Sequence, residues 1–297
     1  MTQSLISEVL MSSGQPVLSY EFFPPKSGDG LDGLKRVAGE LKATSPDFVS
    51  VTHSPDHHDH DRIMVACEYL REEGFATVVP HITCAGASRD DLTAQIDKYY
   101  DKGYRNVVCL RGDPPRGETQ FRKHPDGLAH ANELILLIKK RHPDICCGAA
   151  GYPEVHKEAL TPESDLLYLK SKVEAGASFI ITQLFYDNRV YINFEKKCRE
   201  WGIRAPIIPG LMPPVSLKQI QAAASLCKAS LPPPLVSEML SAGNDSDKEE
   251  SAGIEWTVRQ IRGLLSRDAP GIHMYISNHS RPALAPALTE CLANRKV

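Results

Sequence analysis

Along the chain, short apolar runs rich in β-branched residues alternate with longer segments whose apolar positions recur every three or four residues. "VLSYEFF" precedes "GLKRVAGELKAT", "DFVSVTH" precedes "DRIMVACEYLREEG", and "ATVVPHITC" precedes "SRDDLTAQIDKYYDKG". The alternation continues through "NVVCLRGD", "CCGAAGYPE", "FIITQLFYD" and "PIIPGLMP", each followed by a helical pattern, and ends with "GIHMYISN" before "RPALAPALTECLAN". Strands so continuously apolar are covered on both faces, the condition of a parallel sheet flanked by helices. Eight strand and helix units in 297 residues predict a closed (β/α)8 barrel, one domain spanning 1–297. A doubly wound open sheet is the alternative; no G-x-x-x-x-G-K-[ST] phosphate loop supports it. The rhythm breaks at "LPPPLVSEMLSAGNDSDKEESAG", which reads as an extra helix and an exposed acidic loop between the seventh and eighth strands.

Composition narrows the partners. With 42% hydrophobic and 24% charged residues the chain can bury a large core, and a net charge of -3 with both signs interspersed leaves no electrostatic footprint for nucleic acid or an anionic membrane. A small-molecule partner is expected. No apolar stretch approaches the roughly 20 residues of a membrane span, and "MTQSLISEVLMSSG" lacks the basic start of a signal peptide, so a cytoplasmic protein is expected. The eight cysteines form no C-x-x-C pair; Cys67, Cys84, Cys109 and Cys198 sit in apolar segments as reduced thiols, and the adjacent Cys146 and Cys147 read as strand packing. A homo-oligomer is also expected.

In a barrel of this kind the carboxyl ends of the strands converge on one mouth. The polar residues predicted there are Glu21, Thr52 and His53, His81 and Thr83, Arg111 and Asp113, then Tyr152, Glu154, His156, Gln183 and Asn278. Nearly every strand therefore delivers a titratable or hydrogen-bonding group to the same rim. Glu21 stands out, because a carboxylate in an apolar run must be paired, protonated or working. Pairing with Lys26 or Arg111 is the structural alternative to a catalytic role. The cluster His53, His57, His58 and His60 with Asp56, Asp59 and Asp61 is dense enough to suggest a metal. Metal-dependent barrels spread their ligands over several strand ends, so this one reads as a solvated loop with no metal site.

"SYEFFPPK", "PDFVSVT", "PHITC", "LRGDPP", "AGYPEVHKEA", "ITQLFYD" and "IIPGLMP", in this order and spacing, resemble the methylenetetrahydrofolate reductase family, flavin barrels that make 5-methyltetrahydrofolate. The resemblance runs from about residue 17 to the end of the chain and is that of the bacterial catalytic domain. It implies that Glu21 is the general acid, protonating nitrogen 10 of 5,10-methylenetetrahydrofolate to open an electrophilic iminium; a carboxyl desolvated among Tyr20, Phe22 and Phe23 is expected to have a raised pKa. It implies that Asp113 serves flavin and pterin together, with Arg111 and Gly112 on the flavin. Thr52, His53, His81, Ala131, Tyr152, His156, Ala159, Asp165 and Lys172 fall on positions that contact flavin adenine dinucleotide (FAD) in the family. Asp165 and Lys172, two turns apart on one helix face, are expected to reach the adenosine end. Gln183 is implied to hydrogen-bond folate and nicotinamide in turn, Gln219 to bind folate, and NADH or NADPH to be the electron donor.

Three departures bear on specificity. "THSP" stands where the family commonly reads "TYGA", so that His53 replaces a flavin-contacting tyrosine and Pro55 stiffens the loop. Ala223 stands where an aromatic is common, and "SNH" replaces "LNR", so that His279 takes the place of an arginine facing the folate tail. The departures fall on the nicotinamide and folate sides more than on the flavin ring. The alternative function is a flavin- and folate-binding barrel that uses NAD(P)H poorly and works mainly as a methyltetrahydrofolate oxidase or with another electron partner.

Overall fold

Strand β1 (Val17–Phe22) shows how the apolar runs are spent. Leu18, Tyr20 and Phe22 pack outward with helix residues such as Leu34 and Ile63, whereas Val17 joins Phe48, Val79, Val108, Cys146 and Phe179 in a separate inner cluster. The other strands are β2 (Phe48–Val51), β3 (Val78–Thr83), β4 (Asn106–Leu110), β5 (Cys146–Gly151), β6 (Ala177–Thr182), β7 (Ile207–Ile208), β8 (Gly210–Leu211) and β9 (Gly271–Tyr275). The computed structural model describes residues 3–12, 14–25, 30–53, 60–114, 120–243 and 245–276. All strand pairs are parallel, in the order β7-β6-β5-β4-β3-β2-β1-β9-β8. The expected seventh strand is broken at Pro209, which has no N–H for the ladder. Its first half pairs with β6 and its second with β9, and the Pro209 carbonyl accepts the His273 amide at 2.9 Å, so the ring closes as a (β/α)8 barrel. "GDGLDG" at residues 28–33 spells the glycine spacing of a dinucleotide-binding open sheet just after β1. Closure of the ring rules that architecture out.

The helices are α1 (Ile6–Ser12), α2 (Gly30–Lys42), α3 (His60–Glu72), α4 (Arg89–Asp101), α5 (Ala131–Arg141), α6 (Pro162–Glu174), α7 (Asn188–Glu200), α8 (Leu217–Cys227), α9 (Pro233–Ser241) and α10 (Ser246–Leu265). Local signals set their starts: Ser88 and Asp91 form a capping box on α4, and Thr161 caps α6 ahead of Pro162. The expected extra helix is α9. The acidic stretch expected as a loop is instead the first turns of α10, because the Asp245 carboxylate accepts the Asp247 and Lys248 amides and Asp247 and Glu249 suit the positive end of the helix. Helix α1 closes the amino-terminal end of the barrel. The Asn106 side chain accepts the Ile6 amide and donates to the Ser4 carbonyl, both at 2.9 Å, at the first residue of β4. The strands finish at the opposite end. Cys146 faces the inner cluster and Cys147 the helices, as strand packing requires. Among the described residues no helix is long and apolar enough to cross a membrane. The expected last helix and most of the histidine-rich loop lie outside the described residues.

Candidate active site

Strand parity turns Glu21 into the barrel, where it registers against Ser50 of β2 and Tyr275 of β9. Glu21 is 8% exposed, and one carboxylate oxygen, Oε2, lies 3.5 Å from Nε2 of His81 and 3.4 Å from Nε2 of His273. The other nitrogen of His273, Nδ1, lies 2.8 Å from the Ser19 hydroxyl. Thr52, at the end of β2, also hydrogen-bonds Glu21. Burial alone pushes the Glu21 carboxyl up, but the two imidazoles and Thr52 outweigh it, and the net direction is down. This corrects the expected raised pKa. Tyr20 and Phe22 point away from Glu21 into the helical layer, and its neighbours are polar. The structural alternative also falls on other residues: Arg111 is held by Glu158 at 2.6 and 2.8 Å, and Lys26 lies outside the described residues. His81 is 2% exposed, and burial, opposed by Glu21, pushes its pKa down to about 4, so it is neutral at pH 7.

Beside the mouth lies a cavity of about 250 Å³ whose lining gathers Arg111, Ala131, Tyr152, His156, Ala159, Asp165 and Lys172 from four different segments of the chain. Asp165 and Lys172 share this wall, as their spacing along α6 predicts. Asp165 accepts the His156 amide at 3.2 Å. The Lys172 ammonium donates to the Ala150 carbonyl and sits 5.6 Å from the Tyr152 ring centroid; burial, opposed by Asp165, pushes its pKa down to about 8. The His156 ring meets Tyr152 edge-on at 4.5 Å. Two cations beside aromatic rings suit a ligand that carries negative charge and flat rings. At Gly112, with φ of +89°, a Cβ would come within 2.6 Å of the Ala85 Cβ, so only glycine fits this turn after β4.

The rim is looser. Asp113 is exposed and pairs with Lys157 at 3.1 Å. Gln183, just past β6, accepts the Leu184 amide with its own side-chain oxygen at 2.9 Å. Gln219 accepts the Val215 amide at 3.1 Å, so it helps to start α8, leaving its amide nitrogen for other partners. His53 is partly buried at the end of β2, and His279 lies outside the described residues. Among the described residues no group of three or more histidines, cysteines or carboxylates could hold a metal ion. Sequence reasoning missed His273, Ser19, Tyr275 and Glu158. For His273 and Tyr275 the signal was parity in "GIHMY", where Gly271, His273 and Tyr275 share one face; for Glu158 there was none, since its partner Arg111 is 47 positions away.

A family model described as methylenetetrahydrofolate reductase matches residues 6–287. The 5,10-methylenetetrahydrofolate reductase of Pectobacterium carotovorum is 32% identical over 272 residues, covering 92% of this chain and 89% of that one. That of Escherichia coli is 31% identical over a similar span. "Methylenetetrahydrofolate reductase (NADH) 1" of Arabidopsis thaliana is 31% identical over 281 residues, and this chain spans about half the length of such plant relatives, 48% in this case. A solved structure from Clostridium thermocellum, an uncharacterized protein that binds two copies of 5-methyl-5,6,7,8-tetrahydrofolic acid, matches with a TM-score of 0.66 over 98% of this chain and 99% of that one; at 14% identity the likeness is one of fold. With the model matching nearly end to end and relatives above 30% identity along most of its length, the chain belongs to the methylenetetrahydrofolate reductase family.

Proposed function

We propose that the chain is a single flavin-binding barrel domain that interconverts 5,10-methylenetetrahydrofolate and 5-methyltetrahydrofolate by hydride transfer through bound FAD. One observation carries the proposal: a buried carboxylate clamped by two imidazoles inside the barrel, toward the carboxyl ends of the strands and away from α1. The neighbouring cavity fits the cofactor by the chemistry of its lining, with Arg111 and Lys172 for the diphosphate and Tyr152 and His156 for ring contacts. Bound there, FAD supplies a two-electron hydride acceptor and donor. The protein's own part is proton delivery. Glu21 lies against His273, whose imidazole Ser19 fixes. A pterin that covers the mouth excludes water and disfavours a charged carboxylate, which favours the protonated Glu21 carboxyl, ready for nitrogen 10 of the folate. Asp113 at the rim accepts the paired donors of the pterin edge, and the free side-chain nitrogens of Gln183 and Gln219 orient the folate.

For the electron donor, the names of the plant relatives carry NADH. We propose that NADH and NADPH serve this chain weakly, because Ala223, partly buried on α8 against the cluster that contains Tyr186 and Leu235, offers no ring for a nicotinamide to stack against. Absorbance of the purified protein tests the central claim: a yellow protein releasing FAD on denaturation is expected, and a colourless protein that also fails to bind added flavin overturns it. Glu21→Gln keeps the shape and removes the transferable proton. Folate turnover in rapid-mixing experiments is expected to fall by roughly a hundred- to ten-thousandfold, while bleaching of the flavin by a nicotinamide donor stays near the wild-type rate. Loss of both half-reactions together makes Glu21 structural.

A further inference from the structure

We propose that Lys157 completes the recognition of the pterin by donating to its 4-oxo oxygen, so that the rim selects a 2-amino-4-oxo ring over a 2,4-diamino one. The inference rests on the reading of Asp113 as the partner of the pterin edge. That edge presents two donors, the 2-amino group and the neighbouring ring N–H, followed by one acceptor, the 4-oxo oxygen. A carboxylate answers the two donors and leaves the acceptor to some other group. The Lys157 ammonium stands 3.1 Å from the Asp113 carboxylate, and an ammonium has three donors, so two remain after this pairing. Carboxylate beside ammonium gives the row acceptor, acceptor, donor, the complement of the ring edge.

The fold holds this pair in place. Asp113 follows β4 and Lys157 follows β5, neighbouring parallel strands whose carboxyl ends lie together at the mouth. The Lys157 side chain is 31% exposed against 67% for Asp113, so the longer side chain is the better packed of the two. The Lys157 carbonyl accepts the Lys228 ammonium at 2.9 Å, and three residues earlier the Glu154 carboxylate accepts the Ser230 amide with both oxygens at 3.0 Å. These bonds tie the loop after β5 to the segment after α8. Two residues of this bridge have left-handed backbone, Val155 with φ of +70° and Lys228 with φ of +54°, a region that β-branched and long side chains rarely enter. Backbone held in this way collects where ligands are clamped. Cys227, the last residue of α8, lies close enough to Asp113 and Lys157 for both charges to act on its thiol, so the pair sits beside the helix that carries Gln219. An ion pair this open adds little to the stability of the fold, and its removal is therefore read on the ligand.

The test measures, by calorimetry on the full chain with its flavin bound, the affinities of folic acid and of aminopterin, its 4-amino analogue. In the analogue a donor replaces the 4-oxo acceptor and meets the ammonium donor to donor. Wild-type protein is expected to bind folic acid more tightly than aminopterin. Lys157→Met keeps the length of the side chain and removes its charge. It is expected to weaken folic acid roughly tenfold, the scale of one charge-assisted hydrogen bond, to leave aminopterin no weaker, and to keep the denaturation midpoint. The preference between the two ligands then shrinks about tenfold, a change that general damage to the loop does not produce. Lys157→Arg, which keeps a donor, is expected to retain the preference. An unchanged ratio in Lys157→Met overturns the proposal, as does tighter binding of folic acid, which makes Lys157 a competitor for Asp113. Asp113→Asn separates this inference from the reading beneath it. Weakened folic acid in that variant, with an unchanged ratio in Lys157→Met, removes the role of Lys157 alone; unchanged folic acid affinity in Asp113→Asn removes the pterin reading of the rim and the proposal with it.

Discussion

At the scale of single residues, Glu21 owes its character to groups far away in sequence, with His273 lying 252 positions on. The same cluster sets an acid limit on the fold. His81 is buried as a neutral imidazole facing Glu21, with His53 and His273 also near it, and its pKa falls from 6.5 in the unfolded chain to about 4. The unfolded chain therefore binds a proton more readily than the native one. The stability tied to this residue is fully present above pH 6.5 and is lost as the pH falls toward 4, on the order of 3 kcal/mol over the window. Glu21, whose pKa is also lowered, acts in the same direction, losing its contribution as it is protonated below its usual range. Denaturant titrations at pH 7 and pH 4.5 are expected to show this drop in wild type and a shallower one in His81→Gln. An undiminished drop in the variant assigns the acid sensitivity to other groups.

At the scale of elements, close backbone approach matters more than helix propensity. A Cβ on Gly253, within α10, would stand 1.7 Å from the carbonyl oxygen of Pro214, so the helix touches the segment that leads into α8. Gly253→Ala is expected to destabilise the fold by about 1–3 kcal/mol through overpacking, read as a lower denaturation midpoint. It is also expected to weaken folate binding, since α8 carries Gln219, and to leave flavin affinity alone, since the cavity is built from β4, β5, α5 and α6. An equal loss of both affinities points to global damage instead. The helical period showed the order of the helices, and Ser88 and Thr161 cap two of their starts in the fold. The start of α10 was not legible, because a proline run and a charged, serine-rich stretch read as loop until Asp245 is seen to cap it.

At the scale of the whole molecule, the two ends of the barrel divide the work. The amino-terminal end is sealed by α1 through Asn106, and the carboxyl-terminal end holds every site residue described above. Asn106→Ala removes two of the hydrogen bonds that hold the α1 segment and strands the Ile6 amide. It is expected to cost about 1–3 kcal/mol in denaturant titration while flavin affinity stays unchanged. A variant that loses flavin affinity at unchanged stability contradicts this division.

The order of strands and helices, the place of Glu21 near the end of the first strand and the grouping of Asp165 with Lys172 were determined by the sequence itself, because apolar runs and the 3.6-residue period are local properties that one segment carries alone. The same holds for polar residues at strand ends, which any closed parallel barrel brings to one mouth. Only the tertiary structure decided who their neighbours are. β1 and β9 lie at opposite ends of the chain and meet when the ring closes, and until they do His273 is one more residue of a buried strand. The direction of the Glu21 pKa followed from that meeting. Burial, visible in the apolar run, argued for a raised value, and the imidazoles supplied by distant strands reversed it, because electrostatic and hydrogen-bonding terms depend on distance in space and not on position along the chain.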